Sequence, residues 1–369
     1  KLISEQNERN RTIHIQSSLL DGQVRGDFLL SDLTYDLQTV VKEILLNIRN
    51  DEKAIRSYYG QKNYKPKSYE TAFRFTLKNM EPVVHLFDVD VLVSSNTVLE
   101  GKFTSGYTTI LQVYSAIDSL AYNKALFVDT EVEVTASKIA DSTNVLAMAF
   151  VNSNRQYLTK ALKTNNLMAE AIWNKNQVSF SLDADQQGQT NYVRLKGDLN
   201  FLQDSTQLHL LPSTIKILEK TWDFAPNNLI TIHKDEITVD ELRVRNDDQF
   251  VLIDGRISSD ADETLSMTIS QLDLSILNPI TGRDISGTLN ALFKLNNYYV
   301  EPQLQNEVRI DSLTFDDFLI GDVTGKNVWA PAERQFLINF FIDRNENRIV
   351  NLTGFYNPSR TAIPLEIAA

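Results

Sequence analysis

Histidines are the first residues to consider for chemistry, because imidazole binds metal ions and transfers protons near neutral pH. The chain has four of them, namely His14, His85, His209 and His233. None has a second histidine or a carboxylate at a spacing that metal ligands use, such as His-x3-His. We interpret them as ordinary strand or surface residues, and the sequence predicts neither a metal site nor a cofactor.

Asp88 and Asp90 share one strand face, as do Asp183 and Asp185. Paired carboxylates on one strand face can serve glycoside hydrolysis. Such pairs beside turns are more often solvated surface groups, and the chain has neither a Gly-x-Ser-x-Gly string nor a phosphate-binding loop of the Walker type. We predict no catalytic residue and no enzyme, and we keep a carbohydrate-active β protein as the third alternative.

The composition narrows the function classes further. Of 369 residues 42% are hydrophobic and 23% charged, and the net charge of −12 is spread along the whole chain. Without clustered Lys and Arg interleaved with aromatic residues, nucleic acid is a poor partner. The absence of cysteine removes disulfides, zinc–thiolate sites and cysteine nucleophiles together.

The dominant pattern is strict alternation of apolar and polar residues, which predicts strands with one apolar and one polar face. Turns rich in Asn separate the segments, because Asn and Asp side chains stabilise tight turns. The alternating apolar residues include Val178, Phe180 and Leu182; Val193 to Phe201; Ile230 and Ile232; Ile237 and Val239; Leu265, Met267 and Ile269; Leu289 to Leu295; and Phe336 to Ile342.

Glycines recur at a fixed period near the C-terminal end. Gly255, Gly287, Gly321 and Gly354 follow one another at intervals of 32, 34 and 33 residues, each between apolar residues. The same context surrounds three upstream glycines, Gly26, Gly101 and Gly197. A glycine inside a strand suits a bulge or a close backbone approach, and a fixed period predicts a stacked array. We predict structural roles for Gly101, Gly197, Gly255, Gly287, Gly321 and Gly354.

One segment near the N-terminus has helical periodicity. Asp32 is a candidate N-cap for an amphipathic helix that ends near Asn50. We interpret the segment from Tyr58 to Tyr69 as an exposed connection, and a second helical turn is predicted over Arg155 to Leu162. The apolar residues of the helix are Leu33, Leu37, Val40, Val41, Ile44, Leu45 and Ile48.

The predicted fold is all-β: an elongated, curved antiparallel sheet, or open groove, with one amphipathic helix near the N-terminus. We divide the chain into residues 1–70, with strands, helix and linker, and residues 71–369, the repetitive groove. One helix cannot cover the apolar face of more than twenty strands. Either the sheet closes on itself as a sandwich or barrel, or its face stays open to an apolar ligand, and periodicity alone leaves both open.

Several strings then resemble a known family, the TamB branch of the AsmA-like proteins, particularly the versions in Bacteroidota. The resemblance covers residues 70–358. It is carried by Leu211-Pro212, Trp222, Asn228 and Ile230; Ile237, Leu242 and Leu252 with Ile253-Asp254-Gly255-Arg256-Ile257; Leu272 to Pro279; Ile285-Ser286-Gly287-Thr288-Leu289; Glu301-Pro302-Gln303-Leu304; Ile310-Asp311-Ser312-Leu313; and Phe318-Leu319-Ile320-Gly321 before Trp329. Similar strings upstream run from Leu86-Phe87 to Leu99-Glu100-Gly101-Lys102-Phe103, and from Asn176 to Phe180 before Leu195-Lys196-Gly197.

That resemblance implies a periplasmic β-taco groove that bridges inner and outer membranes. Its work would be phospholipid transfer, outer-membrane protein assembly, or both, with an Omp85-type barrel as partner of the full-length protein. No apolar run approaches the ~20 residues of a membrane helix, so we expect the inner-membrane anchor to lie outside this chain. The alternative function is a self-closed adhesin or scaffold without transport.

In the groove interpretation, one face of the alternating strands holds phospholipid or another acyl-chain lipid. The predicted lining residues are Phe180, Leu182, Leu195, Leu199, Phe201, Ile230, Ile232, Leu252, Met267, Ile269, Leu289, Phe293, Ile310, Ile338 and Phe340.

Overall fold

A computed structural model describes residues 1–7, 10–48, 51–62, 67–79, 90–357 and 365–368. Strands hold 66% of the chain and helices 10%. The predicted all-β class, with a long antiparallel sheet and a helix near the N-terminus, is confirmed. The chain divides into two compact units, the first formed by Lys1–Gln189 with Asp198–Gln203 and the second by Thr190–Gly197 with Asp204–Ala369.

Unit 1 is an antiparallel meander in which each long strand pairs with the next. The short strand β5 pairs with the end of β7, so β4 pairs directly with β6. Because β3 also pairs with β4, the boundary expected at residue 70 lies inside this unit. Its strands are β1 (Leu2–Asn7), β2 (Asn10–Gln16), β3 (Leu20–Gly26), β4 (Tyr69–Leu77), β5 (Val91–Val93), β6 (Thr97–Ser105), β7 (Thr108–Tyr122), β8 (Ala125–Ile139), β9 (Val145–Tyr157), β10 (Lys163–Asn174) and β11 (Gln177–Gln186).

Helix α1 (Leu30–Ile48) covers the first strands of unit 1. Leu33 and Val40 are buried in one cluster with Ile13 and Phe103 of the sheet. The helix begins at Leu30, so the prediction of Asp32 as N-cap is wrong: Asp32 lies inside the first turn, where its carboxylate binds Lys67 at 2.8 Å. The predicted end at Asn50 lies outside the described residues.

A second helix, α2 (Glu52–Gln61), occupies part of the segment that we predicted as an exposed connection, and that prediction is wrong. Asp51 caps it by accepting the backbone N–H of Ala54 at 3.0 Å. Tyr58 and Tyr59 are helical and half-buried, and Tyr69 is a buried residue at the start of β4. Tyr64 falls outside the described residues.

The helical turn predicted over Arg155 to Leu162 is also wrong. Strand β9 continues to Tyr157, and the chain then bends into β10. Arg155 pairs with Val128 on one side and Asn165 on the other, so both neighbouring strands hold it in the sheet.

Unit 2 begins with short strands and continues as a regular meander. Strand β17 pairs with β16 along its first half and with β15 near its end, and each later strand pairs with the next. The strands are β12 (Tyr192–Phe201), whose end belongs to unit 1, β13 (Thr206–Leu210), β14 (Thr214–Ile217), β15 (Lys220–Phe224), β16 (Leu229–Ile232), β17 (Ile237–Asn246), β18 (Gln249–Ile257), β19 (Thr264–Asp273), β20 (Ile285–Asn296), β21 (Gln303–Phe315), β22 (Phe318–Ala330), β23 (Gln335–Arg344), β24 (Asn347–Tyr356) and β25 (Leu365–Ala368). A 3-10 turn (Leu274–Leu277) and the short helix α3 (Asn278–Thr281) join β19 to β20.

The turns between strands follow the Asn-rich segments of the sequence. Lys175, Asp247, Asn297 and Asn345 all have positive φ, from 49° to 58°. Asn228 does more than form a turn, because its buried side chain bonds both the N–H and the C=O of Leu210 at 2.8 Å. It thereby takes the place of a backbone group between β13 and β16.

Among the β-bulges of unit 2, those in β17, β19 and β21 each contain one residue at positive φ. The residues are Glu241 in β17, Gln271 in β19 and Ser312 in β21, with φ of 44°, 51° and 53°. The register of pairing shifts at each of them. An extra residue at a bulge bends and twists the strand that carries it.

The periodic glycines lie on the strands that alternate with the bulged ones. Gly255, Gly287 and Gly321 have φ of 114°, 132° and 122°, a region that side chains rarely adopt. At Gly321 an added Cβ would also run into the carbonyl oxygen of Asp343. Gly354 has no positive φ, but its Cβ would meet the backbone of Glu366 in the same way. The repeat in the sequence is therefore a repeat of hairpins.

Candidate apolar binding face

The register of unit 2 collects apolar side chains on one face, because directly paired residues of an antiparallel sheet point to the same side. Ile253 pairs with Met267, and Met267 pairs with Phe293. A second row is longer and crosses seven strands. It contains Val251, Ile269, Ala291, Val308, Gly325, Phe340 and Leu352.

The pairing resumes beyond each bulge with apolar residues that again point to this face, so further rows lie on the same face. Beyond the bulge of β19, one row contains Leu272, Leu289, Ile310, Val323, Ile342 and Val350. Toward the other end, a row contains Leu208, Ile230, Val239, Gly255, Leu265, Leu295 and Leu304. We call this set of rows the apolar face of unit 2.

Most side chains of this face are half-buried. Met267, Phe293 and Phe340 all fall between the buried and the exposed class, whereas Val239, Ala291 and Val323 are among the few that are buried. A sealed sandwich would bury the central residues of such rows almost completely. Within the described residues of unit 2, the only helical cover is the 3-10 turn and α3, eight residues in all.

The structure brings most of the predicted lining residues of this unit onto that face. Ile232 pairs with Ile237 beside Ile230, and Ile338 lies two positions from Phe340 on β23. Leu195 alternates with Val193, which pairs with Ile215. Met267, Ile269, Leu289, Phe293 and Ile310 stand in the rows described above.

Leu252 does not share this face. It pairs with Arg243 and with Thr268, whereas its neighbour Ile253 pairs with Met267. The prediction failed here because four consecutive residues of β18, Phe250 to Ile253, are apolar. Alternation therefore does not show which of them point to the apolar face. Ile253 is the residue that the register places on the apolar face.

Unit 1 has an apolar face of its own. Phe180 pairs with Ala171 and Leu182 pairs with Ala169. Leu199 and Phe201 belong to the part of β12 in this unit, and the Phe201 ring lies 6.1 Å from the ring of Trp173. Helix α1 packs against this face at β2, β3, β4, β6 and β7, and its Glu43 reaches Lys138 of β8.

One polar pair interrupts the apolar face of unit 2. Asn306 pairs with Phe293 on one side and Asn327 on the other, and both asparagines are buried, 9% and 2% exposed. Asn327 Nδ2 donates to Asn306 Oδ1 at 2.6 Å, and the backbone N–H of Asn339 donates to Asn327 Oδ1 at 2.9 Å. Alternation predicts only apolar residues here, and sequence reasoning missed this pair.

The opposite face of unit 2 is polar and carries ion pairs. Leu292 pairs with Glu307, and Glu307 binds Lys326 on the next strand at 2.6 Å. Both charged side chains are largely exposed, which limits the contribution of such a pair to stability. These ion pairs therefore stand on the face opposite the apolar rows, although that face also contains apolar residues such as Leu252 and Leu292.

A second polar cluster, also missed from the sequence, fixes the helices of unit 1. Glu43 of α1 is 1% exposed and binds Lys62 at 2.6 Å and Lys138 of β8 at 3.5 Å. Tyr58 donates to Glu43 at 3.0 Å. Burial raises the pKa of the Tyr58 and Tyr59 hydroxyls, and Glu43 raises both further. Burial lowers the pKa of Lys138, against the opposing attraction of Glu43.

The residues considered first for chemistry stay apart. His209 and His233 bond the backbone carbonyls of Pro226 at 2.8 Å and Asp204 at 3.2 Å. Asp185 accepts a hydrogen bond from Asn166 at 3.1 Å. Within the described residues, His, Asp and Glu nowhere gather in threes as a metal ion requires. His85 and Asp88 lie outside the described residues.

In the described part of the chain, no helix combines the length and apolar character that crossing a membrane requires. Comparison of the chain with models of known protein families, with curated proteins and with solved structures gives no match. The candidate site therefore depends on the chemistry of the sheet faces themselves.

Proposed function

We propose that the apolar face of unit 2 holds the acyl chains of phospholipid, and that the chain is a section of a periplasmic lipid-transfer bridge of the TamB and AsmA-like kind. The observation that carries the proposal is the half-buried apolar face itself. Its side chains are almost all aliphatic or aromatic, it continues across successive strands, and the charged groups stand on the opposite face.

Burial of hydrocarbon supplies the driving force. At about 0.8 kcal/mol for each CH2 group, a chain of about sixteen carbons gains on the order of 12 kcal/mol when it leaves water, before the cost of ordering it. Lipid therefore crosses an aqueous gap slowly without a protein. Side chains such as Met267, Phe293 and Phe340 replace membrane hydrocarbon along the route, while head groups remain in water at the open edge.

The further parts of the proposal follow from the resemblance rather than from the sheet. The full-length protein would be anchored in the inner membrane outside this chain and would reach an Omp85-type barrel in the outer membrane. In that setting, lipid transfer and outer-membrane protein assembly are both served by a continuous apolar path between the two membranes.

The test is the capture of a photocrosslinkable phospholipid by the Phe293→Asp variant. A carboxylate on the apolar face interrupts the hydrocarbon path at a severe desolvation cost. Leu292→Asp is the matched control, because it makes the same change one residue away on the polar face, where Leu292 pairs with Glu307. We expect Phe293→Asp to lose capture and Leu292→Asp to retain it, with equal circular dichroism.

Equal capture by both folded variants would overturn the proposal. Loss of folding in Phe293→Asp alone, together with no lipid on the wild-type protein, would favour the self-closed adhesin or scaffold, because a sealed core does not tolerate a buried charge.

A further inference from the structure

We propose that Asn306 is a recognition site for the ester carbonyl of a diacyl glycerolipid, set within the apolar face of unit 2. The inference rests on the proposed function and adds to it a selectivity that aliphatic side chains cannot supply. It begins with the hydrogen bonds of three residues on consecutive strands, Asn306 of β21, Asn327 of β22 and Asn339 of β23.

The bonds fix which way each amide points. A backbone N–H only donates, so the atom of Asn327 that meets the N–H of Asn339 is the oxygen Oδ1. The Nδ2 of Asn327 then faces Asn306, and a donor there requires the Oδ1 of Asn306 as its acceptor. The amide group of Asn306 is thereby oriented with its own Nδ2 left over.

This Nδ2 has no hydrogen-bond partner within the described structure, and it is accessible from the surface rather than enclosed, in a residue that is 9% exposed. A donor that meets water within an otherwise apolar surface loses that partner when hydrocarbon covers it, unless the ligand supplies an acceptor. The indole Nε1 of Trp329, two positions from Asn327 on the same face, is a buried donor without a partner in the described structure. Both N–H groups can therefore donate a hydrogen bond to an acceptor on a bound ligand.

The chemistry of the site selects the acceptor. Each amide oxygen already receives one hydrogen bond, whereas the Nδ2 of Asn306 and the Nε1 of Trp329 donate none, so the groups still without a partner at this site are donors. An ester carbonyl only accepts hydrogen bonds, whereas a hydroxyl also carries an O–H donor that needs an acceptor of its own. Phe293, which pairs with Asn306, and the aliphatic rows beside it accommodate the acyl chain that carries the ester.

The experiment is a competition, read by native mass spectrometry, between a diacyl phosphatidylethanolamine and the dialkyl ether with the same head group and chain length. One neutral hydrogen bond corresponds to a preference of about fivefold for the ester. We expect the wild-type chain to show this preference for the ester lipid. The Asn306→Leu variant should still bind both lipids but without the preference. Asn306→Asp, which keeps the shape but removes the N–H donors, should also lose the preference.

Asn351→Leu is the matched control, because Asn351 is exposed and pairs with Phe341 on the opposite face. It should retain the wild-type preference. Equal binding of ester and ether by the wild type, or an unchanged preference in Asn306→Leu, overturns the carbonyl site but leaves the proposed function standing. No binding of either lipid to the wild type overturns both.

A parallel pair of probes distinguishes a hydroxyl from a carbonyl. Tighter binding of a 3-hydroxy fatty acid than of the unsubstituted acid, lost in Asn306→Leu and without an ester preference, would reassign the site to hydroxylated acyl chains and overturn the inference.

Discussion

The backbone N–H of Ser312 donates a hydrogen bond to Asp322 Oδ1 at 2.8 Å. Ser312 is the positive-φ residue of the bulge in β21, and Asp322 stands on the adjacent strand β22, next to Gly321. The bond satisfies an N–H that the shifted register leaves without a backbone partner. Two further bulges repeat the arrangement at 3.0 Å, Glu241 with Asp254 and Gln271 with Asn290.

Removal of the acceptor should weaken the bulge. We expect Asp322→Ala to lower the free energy of unfolding by about 1 kcal/mol, the usual net contribution of one hydrogen bond. Asp322→Asn retains an acceptor oxygen and should remain within a few tenths of the wild type. Urea denaturation measures both, and equal loss in the two variants would assign the effect to charge rather than to the bond.

Gly321 should not tolerate a side chain. Its φ of 122° and the carbonyl of Asp343 both oppose a Cβ, so Gly321→Ala should cost about 2 kcal/mol or more. Gly60, on α2 with nothing within 4 Å of an added Cβ, is the control for the same change. Gly60→Ala should stabilise by about 0.5–1 kcal/mol, because alanine favours the helix. Thermal melting of the two variants in opposite directions is the expected result.

Glu43 should be indispensable to the packing of the two helices. Glu43→Gln leaves Lys62 and Lys138, 12% and 4% exposed, without a counter-charge, and loss of one partner of a buried ion pair costs about 3–5 kcal/mol. Far-ultraviolet circular dichroism should show loss of helix at a lower temperature. Glu307→Gln breaks an exposed pair with Lys326, and its melting curve should match the wild type.

Stability should fall in alkali because of Tyr58 and Tyr59. Their pKa values are raised above the ordinary 10.0 in the folded chain, first by burial and then by Glu43. Above pH 10 the unfolded chain loses these protons and the folded chain keeps them, so the free energy of unfolding decreases as the pH rises. Below pH 10 their contribution is fully present.

The lowered pKa of Lys138 acts in the opposite direction, since the folded chain gives up that proton below the ordinary 10.5. Unfolding followed against pH, with Tyr58→Phe and Tyr59→Phe combined as the comparison, separates the two contributions. A decrease above pH 10 that is equally steep in the double variant would contradict the assignment to the tyrosines.

Alternation in the sequence was enough to predict the strands and, at Met267, Phe293 and Ile310, their apolar side. It succeeded there because a strand that is apolar on one face and polar on the other has a defined phase. It failed at Leu252, where consecutive apolar residues leave the phase open. The pairing with Arg243 and with Thr268 assigns that side chain to the polar face.

The two polar clusters could not be predicted from the sequence, for a different reason. Asn306 and Asn327 are separated by a turn and two strand segments, and nothing local indicates that they meet. Glu43 and Lys138 are farther apart still. Helix α2 did leave a signal, since Asp51 followed by Glu52, Lys53 and Ala54 is a normal helix start. The neighbouring tyrosines and lysines led us to interpret the segment as exposed.

The bulges and the positive-φ glycines lie on alternate strands, which run in opposite directions. β17, β19 and β21 carry the extra residue, and β18, β20 and β22 supply the side-chain acceptor. The unit of construction is thus one hairpin, which corresponds to the spacing of 32 to 34 residues between glycines. Insertion or deletion of one such hairpin preserves strand direction, so the length of the sheet can change stepwise while the apolar side chains stay on the same face.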